Sequence, residues 1–224
     1  LTATIQANCE QICQHIIQAS RKHCDLCVFP ELSLFGYPAT DQLFQPNKQQ
    51  ALKKAFSEIL KLSTMHPNLG ICLGLPEEIP HKAKFYNSLV IIENGRIVYT
   101  YRKTLLANDD VFDEARYFFS GKEPNLLEYK GLKLGFSICE DMWFDNKQAY
   151  YQAKQNPLNP LQNADVVFNL SASPYEQNKA NQRYLLAKSL CKANKASFVY
   201  LNQVGMCDEI LFDGSSFVLN AAGE

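Results

Sequence analysis

Apolar residues recur at three- and four-residue steps along residues 3–20, at Ile5, Cys9, Ile12, Cys13, Ile16 and Ile17, and so predict a helix with one buried face. Leu26-Cys27-Val28-Phe29 is a continuous apolar run stopped by Pro30, the pattern of a short buried strand. A loop rich in Gly, Tyr and Pro follows. A second helical stripe near 47–65 carries Leu52, Phe56, Ile59 and Leu60, and residues 70–75 predict the next strand. Strands at 86–92 and 96–102 flank Asn94-Gly95, a dipeptide suited to the positive φ of a tight hairpin. Lys130-Gly131 marks another hairpin, whose second strand runs into Cys139. Strands at 166–170, 197–201 and 216–219 and a helix at 175–195 complete the pattern.

Helices and strands interleave, so the chain is α/β in class. The two hairpins exclude a purely parallel sheet and imply mixed sheets covered by helices. One domain over residues 1–224 is expected. The chain lacks an initiating Met and stops at a turn-like Ala221-Ala222-Gly223-Glu224, so both ends are expected to be trimmed from something longer.

Composition narrows the partners. Hydrophobic residues make up 46% of the 224 positions, which favours a folded globular chain over disorder. Net charge is −1 and the 22 basic residues are scattered, which argues against nucleic acid or an anionic membrane surface as the main partner. No apolar run has the length of a bilayer span, and no signal peptide is visible. The eight cysteines show no framework spacing. Cys24-Asp25-Leu26-Cys27 has no second close pair to complete a zinc site, and the four His show no metal-ligand spacing. Core packing in a reducing, cytoplasmic compartment is the expected account, with no metal.

Three polar residues stand where apolar runs end: Glu31 after Phe29-Pro30, Lys103 after Tyr101-Arg102, and Cys139 after Phe136-Ser137-Ile138. Each alone reads equally as an ordinary feature: a capping acid, an edge charge, a small core residue. Together, at neighbouring strand ends, they form a coherent catalytic set. A free thiol titrates near pH 8.5, and a nearby lysine is expected to lower that value by roughly one to three units. Glu31 then serves as general base and later as general acid. Lys103 and the backbone N–H after Cys139 stabilise an oxyanion, and water resolves a thioester. No His is placed for a papain-like Cys–His pair.

Phe29-Pro30-Glu31-Leu32, Arg102-Lys103 and Ile138-Cys139-Glu140-Asp141 resemble the three signatures of the nitrilase superfamily. That resemblance implies an αββα sandwich and a Glu31–Lys103–Cys139 triad. The chain is closer still to one branch, the glutaminase domains of glutamine-dependent NAD⁺ synthetases. The segments carrying that likeness are Glu31 to Pro38, Val111 to Phe118, Asn169 to Tyr175 with Lys179, and Asn202 to Gly205 followed by Asp208-Glu209 and Phe212 to Ser216.

The resemblance implies hydrolysis of the side-chain amide of L-glutamine, with Ser173, Lys179 and Glu140 binding substrate and the released ammonia amidating deamido-NAD⁺. It further implies a homo-oligomer and a C-terminal synthetase domain absent from this chain; ATP and Mg²⁺ belong to that domain, and no cofactor is expected here. Asp109 stands where the branch commonly has a tyrosine, and the segment 144–164 looks longer than usual. Alternatives are a stand-alone amidase or carbamoylase acting on another small amide, and a catalytically silent assembly module.

Overall fold

Alternation of side chains decides the layering. In the computed structural model, which describes residues 4–122, 124, 126–146 and 156–224, strand β2 (Gly70–Glu77) sends Ile71, Leu73 and Leu75 to one side and Cys72 to the other. Strand β3 (Tyr86–Glu93) does the same with Val90 and Ile92 against Leu89 and Ile91. Both strands are buried nearly throughout, as period-two strands are when both sheet faces are covered.

The outer cluster is closed by helices α1 (Ile5–Arg21) and α2 (Pro46–Thr64), through Ile5, Cys9, Ile12 and Ile16 of the first and Leu52, Ala55 and Ile59 of the second. The inner cluster joins Cys72, Leu89 and Ile91 to Leu134, Phe136 and Ile138 of strand β6 (Leu132–Ile138), which belongs to a second sheet. A third cluster lies beyond that sheet, where Ala187 and Cys191 of helix α4 (Lys179–Asn194) meet Phe198 and Tyr200 of strand β8 (Ser197–Asn202). Helix, sheet, sheet, helix: the four layers form an αββα sandwich.

The first sheet runs β1-β2-β3-β4, with β1 (Leu26–Val28) parallel to β2 and β4 (Arg96–Arg102) antiparallel to β3. The second runs β11-β8-β7-β6-β5. Its strands β6, β7 (Val166–Ser171) and β8 are parallel, with β5 (Leu127–Tyr129) and β11 (Phe217–Leu219) antiparallel at the edges. Asn94 and Gly95 have φ of 44° and 76°, and Lys130 and Gly131 have 48° and 82°, the left-handed pairs a two-residue hairpin needs.

The α/β class and the mixed sheets expected from the pattern are present, and most elements fall within one or two residues of the predicted ranges. Three departures stand out. The helix expected from 175 begins at Lys179, because Asn178 (φ 65°) turns the chain first. A hairpin of β9 (Val204–Cys207) and β10 (Ile210–Asp213) and a short helix α3 (Glu114–Tyr117) were not expected. In the long segment 144–164, Leu158 and Leu161 pack into the α4 cluster, whereas Gln148, Tyr150, Tyr151, Gln152 and Gln155 lie outside the described residues. Cys9, Cys72 and Cys191 pack in the core as expected, but Cys24 is exposed. Among the described residues no helix is long and apolar enough to cross a membrane.

Candidate active site

The carboxylate of Glu31 reaches the sheet interface because one strand position lacks a side chain. The chain leaves edge strand β1, and Phe29 N donates to Cys72 O and Leu34 N to Gly74 O, so residues 29–34 lie across β2. A Cβ at Gly74 would stand 2.4 Å from Pro30 O and 2.6 Å from Leu32 N. Glycine is therefore what admits the loop. Glu31 is 1% exposed, and three donors fix it: Lys103 Nζ at 2.7 Å and Asn87 Nδ2 at 2.8 Å on Oε1, and Ala172 N at 2.9 Å on Oε2.

Lys103 follows β4 directly and is 1% exposed. Its ammonium donates to Glu31 and, at 2.8 Å, to Oε1 of Glu114, which leaves one of its three protons for another acceptor. Burial works against this charge, but the carboxylates of Glu114 and Glu31 outweigh it and hold the lysine well above its ordinary range. Glu114 also accepts from Tyr37 OH at 2.9 Å and Ala107 N at 3.1 Å. Burial raises its carboxyl to about 7, with Lys103 opposing and Glu31 assisting.

Cys139 leaves β6 with φ of 41° and starts a 3₁₀ segment (Cys139–Asn146). A non-glycine residue in this region is uncommon, and here the bend turns the thiol out of the strand into the interface. Asp141 clamps the bend: it accepts from Ile138 N at 2.9 Å, Tyr101 OH at 2.7 Å and Leu105 N at 2.9 Å. One buried carboxylate thus ties the end of β6 to the residues on either side of Lys103.

Two expectations need correction. The three residues do not come from neighbouring strands: Glu31 and Lys103 come from opposite edges of the first sheet and Cys139 from the second. Nor does the lowering effect of Lys103 prevail at the thiol. Burial, and then the charge of Glu31, push Cys139 well above its ordinary range, with Glu140 and Glu114 adding to the rise and Lys103 alone opposing it. Burial and the neighbouring acids thus favour the protonated sulfur over the thiolate.

Cys139 opens on a cleft of about 420 Å³. Ser173, Lys179 and Glu140 all line it, as does Asp109. Lys179 Nζ sits 5.0 Å from the centroid of the Trp143 ring and 3.2 Å from Glu176. Ser173 is held from behind by fully buried Arg183, whose Nε donates to its Oγ at 3.2 Å and whose Nη1 pairs with Asp213 at 2.8 Å. Glu114, Asn87, Asp141 and Arg183 were not singled out from sequence. For Glu114 the only pointer was the likeness of Val111 to Phe118, which marked the segment and not the residue. Among the described residues no group of three or more His, Cys, Asp or Glu side chains is placed to hold a metal ion.

A buried Glu–Lys–Glu cluster thus stands beside a bent-out cysteine between the sheets of an αββα sandwich. The chain belongs to the carbon–nitrogen hydrolase family, whose pattern it matches over residues 1–224. It is 38% identical over 220 residues to the glutamine-dependent NAD⁺ synthetase of Acinetobacter baylyi, an alignment covering 98% of this chain and 38% of that protein. The glutamine-dependent NAD⁺ synthetase of Acinetobacter baumannii superposes with a TM-score of 0.87 at 34% identity, over 100% of this chain and 40% of the other. An amidase from Nesterenkonia sp. has the same fold, with a TM-score of 0.81 at 21% identity over 100% of this chain and 80% of that one. The chain thus spans about two fifths of the length of the synthetases it matches.

Proposed function

We propose that this chain hydrolyses the side-chain amide of L-glutamine and supplies the ammonia to a further, ATP- and Mg²⁺-dependent synthetase domain that amidates deamido-NAD⁺. The observation that carries the reading is the Lys103 ammonium, buried between Glu31 and Glu114 among the charges that act on the Cys139 thiol. Likeness to glutamine-dependent NAD⁺ synthetases over 98% of the chain supports the choice of amide.

Glu31 takes the proton from Cys139 as sulfur attacks the amide carbon. The remaining N–H of Lys103 and the backbone N–H of Glu140 receive the oxyanion. Glu31 returns its proton to the departing nitrogen, releasing ammonia and leaving a thioester. Water, deprotonated by Glu31, then frees glutamate. The α-carboxylate of the substrate lies toward Lys179 and Ser173, and its α-ammonium toward Glu140.

Ammonia release from L-glutamine, compared with release from acetamide and from carbamoyl amines, tests the reading. Turnover of glutamine by wild type but not by Cys139→Ala supports it. Preference for a simple amide favours the stand-alone amidase, and no turnover by the folded chain together with its synthetase domain favours a silent assembly module.

A further inference from the structure

Asn87, on β3, touches both charged members of the site. Its side-chain Nδ2 donates to Glu31 Oε1 at 2.8 Å, and its backbone carbonyl accepts from Lys103 N at 2.8 Å. The residue is fully buried, and the position opposite it on β2 is Pro76. Its Oδ1 is also buried and has no hydrogen-bond partner among the described residues. Packing alone does not account for such a side chain, because an apolar residue of similar size would fill the space without an unmet acceptor.

We propose that Asn87 is a positioning residue for the general base. Its amide and the Lys103 ammonium together occupy both lone pairs of Glu31 Oε1, so the thiol proton is received at Oε2. Among the described residues that oxygen has one donor, Ala172 N, which leaves it a lone pair to spare. The proton moves from Cys139 Sγ to Glu31 Oε2 as the sulfur–carbon bond forms, and later from Oε2 to the leaving nitrogen. The proposal rests on the hydrolase reading above for its substrate, but not for the proton transfer itself.

Besides Asn87, the charged or titratable groups around Glu31 are Lys103 after β4, Glu114 on α3, Cys139 after β6 and Tyr37 on the loop after β1. Of these Lys103 already donates to Glu31, and the Tyr37 hydroxyl is committed to Glu114 at 2.9 Å. Without the Asn87 amide the ionised carboxylate loses a favourable partner, and Oε1 regains a lone pair that competes with Oε2 for the thiol proton.

The test is the pH dependence of Cys139 alkylation by iodoacetamide, read by mass spectrometry, beside kcat and KM for glutamine, in wild type, Asn87→Leu and Asn87→Asp. In Asn87→Leu the acid limb should move up by roughly one pH unit, with kcat reduced roughly tenfold and KM within about twofold. In Asn87→Asp a protonated carboxyl reproduces the donor, so the rate approaches wild type on the acid side and falls away as that carboxyl ionises. The isosteric variant carries the test alone should Asn87→Leu fail to fold. Profiles that keep the wild-type shape in both variants, merely scaled, would overturn the proposal and leave Asn87 a packing residue. Shifted alkylation profiles without release of ammonia from glutamine would leave the positioning role standing and remove the substrate reading.

Discussion

Lys103 Nζ lies 2.8 Å from Oε1 of Glu114, so the ammonium that pairs with Glu31 is shared with a second buried carboxylate. One cation between two acids, all three nearly inaccessible to water, is held by mutual charge and by the donors around it. Glu114→Gln keeps the shape and removes the charge. It should cut kcat by about 10²-fold or more with a smaller change in KM, because Lys103 loses one of its two counter-charges. Steady-state kinetics on folded variant protein checks this.

Gly74 and Pro30 meet so closely that the route of the loop carrying Glu31 depends on a missing methyl. Gly74→Ala forces a Cβ to 2.4 Å from Pro30 O, and neither backbone yields cheaply. A loss of about 2–4 kcal/mol in unfolding free energy is expected, with activity falling further because Glu31 moves with the loop. Urea titration and ammonia release measure the two effects.

Asp141 gives a pH signature. Burial raises its carboxyl to about 6, against the lowering effect of N–H donation from Leu105 and Ile138. Between about pH 4 and 6 the folded chain therefore binds more protons here than the unfolded chain. Stability from this group is full below about pH 4 and is lost as pH rises through 6. Unfolding free energy measured at pH 4, 5, 6 and 7 should decline less steeply in Asp141→Asn than in wild type, and equal slopes would contradict the assignment.

Arg183 supports the cleft wall from behind through Ser173 and Asp213. Arg183→Met leaves Asp213 without its cation and the Ser173 hydroxyl without the guanidinium donor. We expect KM for glutamine to rise at least tenfold while Cys139 alkylation changes little, alongside a stability loss of about 3 kcal/mol. Kinetics and calorimetry on the same preparation separate the two.

Local chemistry was readable in the chain where it is local in space. Asn94-Gly95 and Lys130-Gly131 specify their hairpins through φ alone, and the helical stripes of α1 and α2 follow from apolar spacing. Cys139 was conspicuous because an apolar run breaks at it. What was not readable depends on contacts made after folding. Glu114 stands in a polar stretch, Asp113-Glu114-Ala115-Arg116, with nothing to separate it from solvated neighbours until the fold brings Lys103 to it. Asp141 and Glu140 looked like one acidic pair, yet the first braces two sheets and the second lines the cleft. The direction of the Cys139 shift was misjudged because sequence displays the lysine but not the burial. The β9–β10 hairpin escaped because two four-residue strands around Asp208, one holding Gly205, carry little periodic signal.

The central claim is that one buried sulfur, activated at the moment of attack by Glu31, forms the covalent bond. Intact-mass and peptide mapping after incubation with a glutamine-analogue electrophile tests it most directly. The account predicts a single adduct at Cys139 in wild type, formed about 10²-fold more slowly in Glu31→Gln and absent in Cys139→Ala. Folded wild type that stays unlabelled, or that carries its adduct on another cysteine, would contradict it.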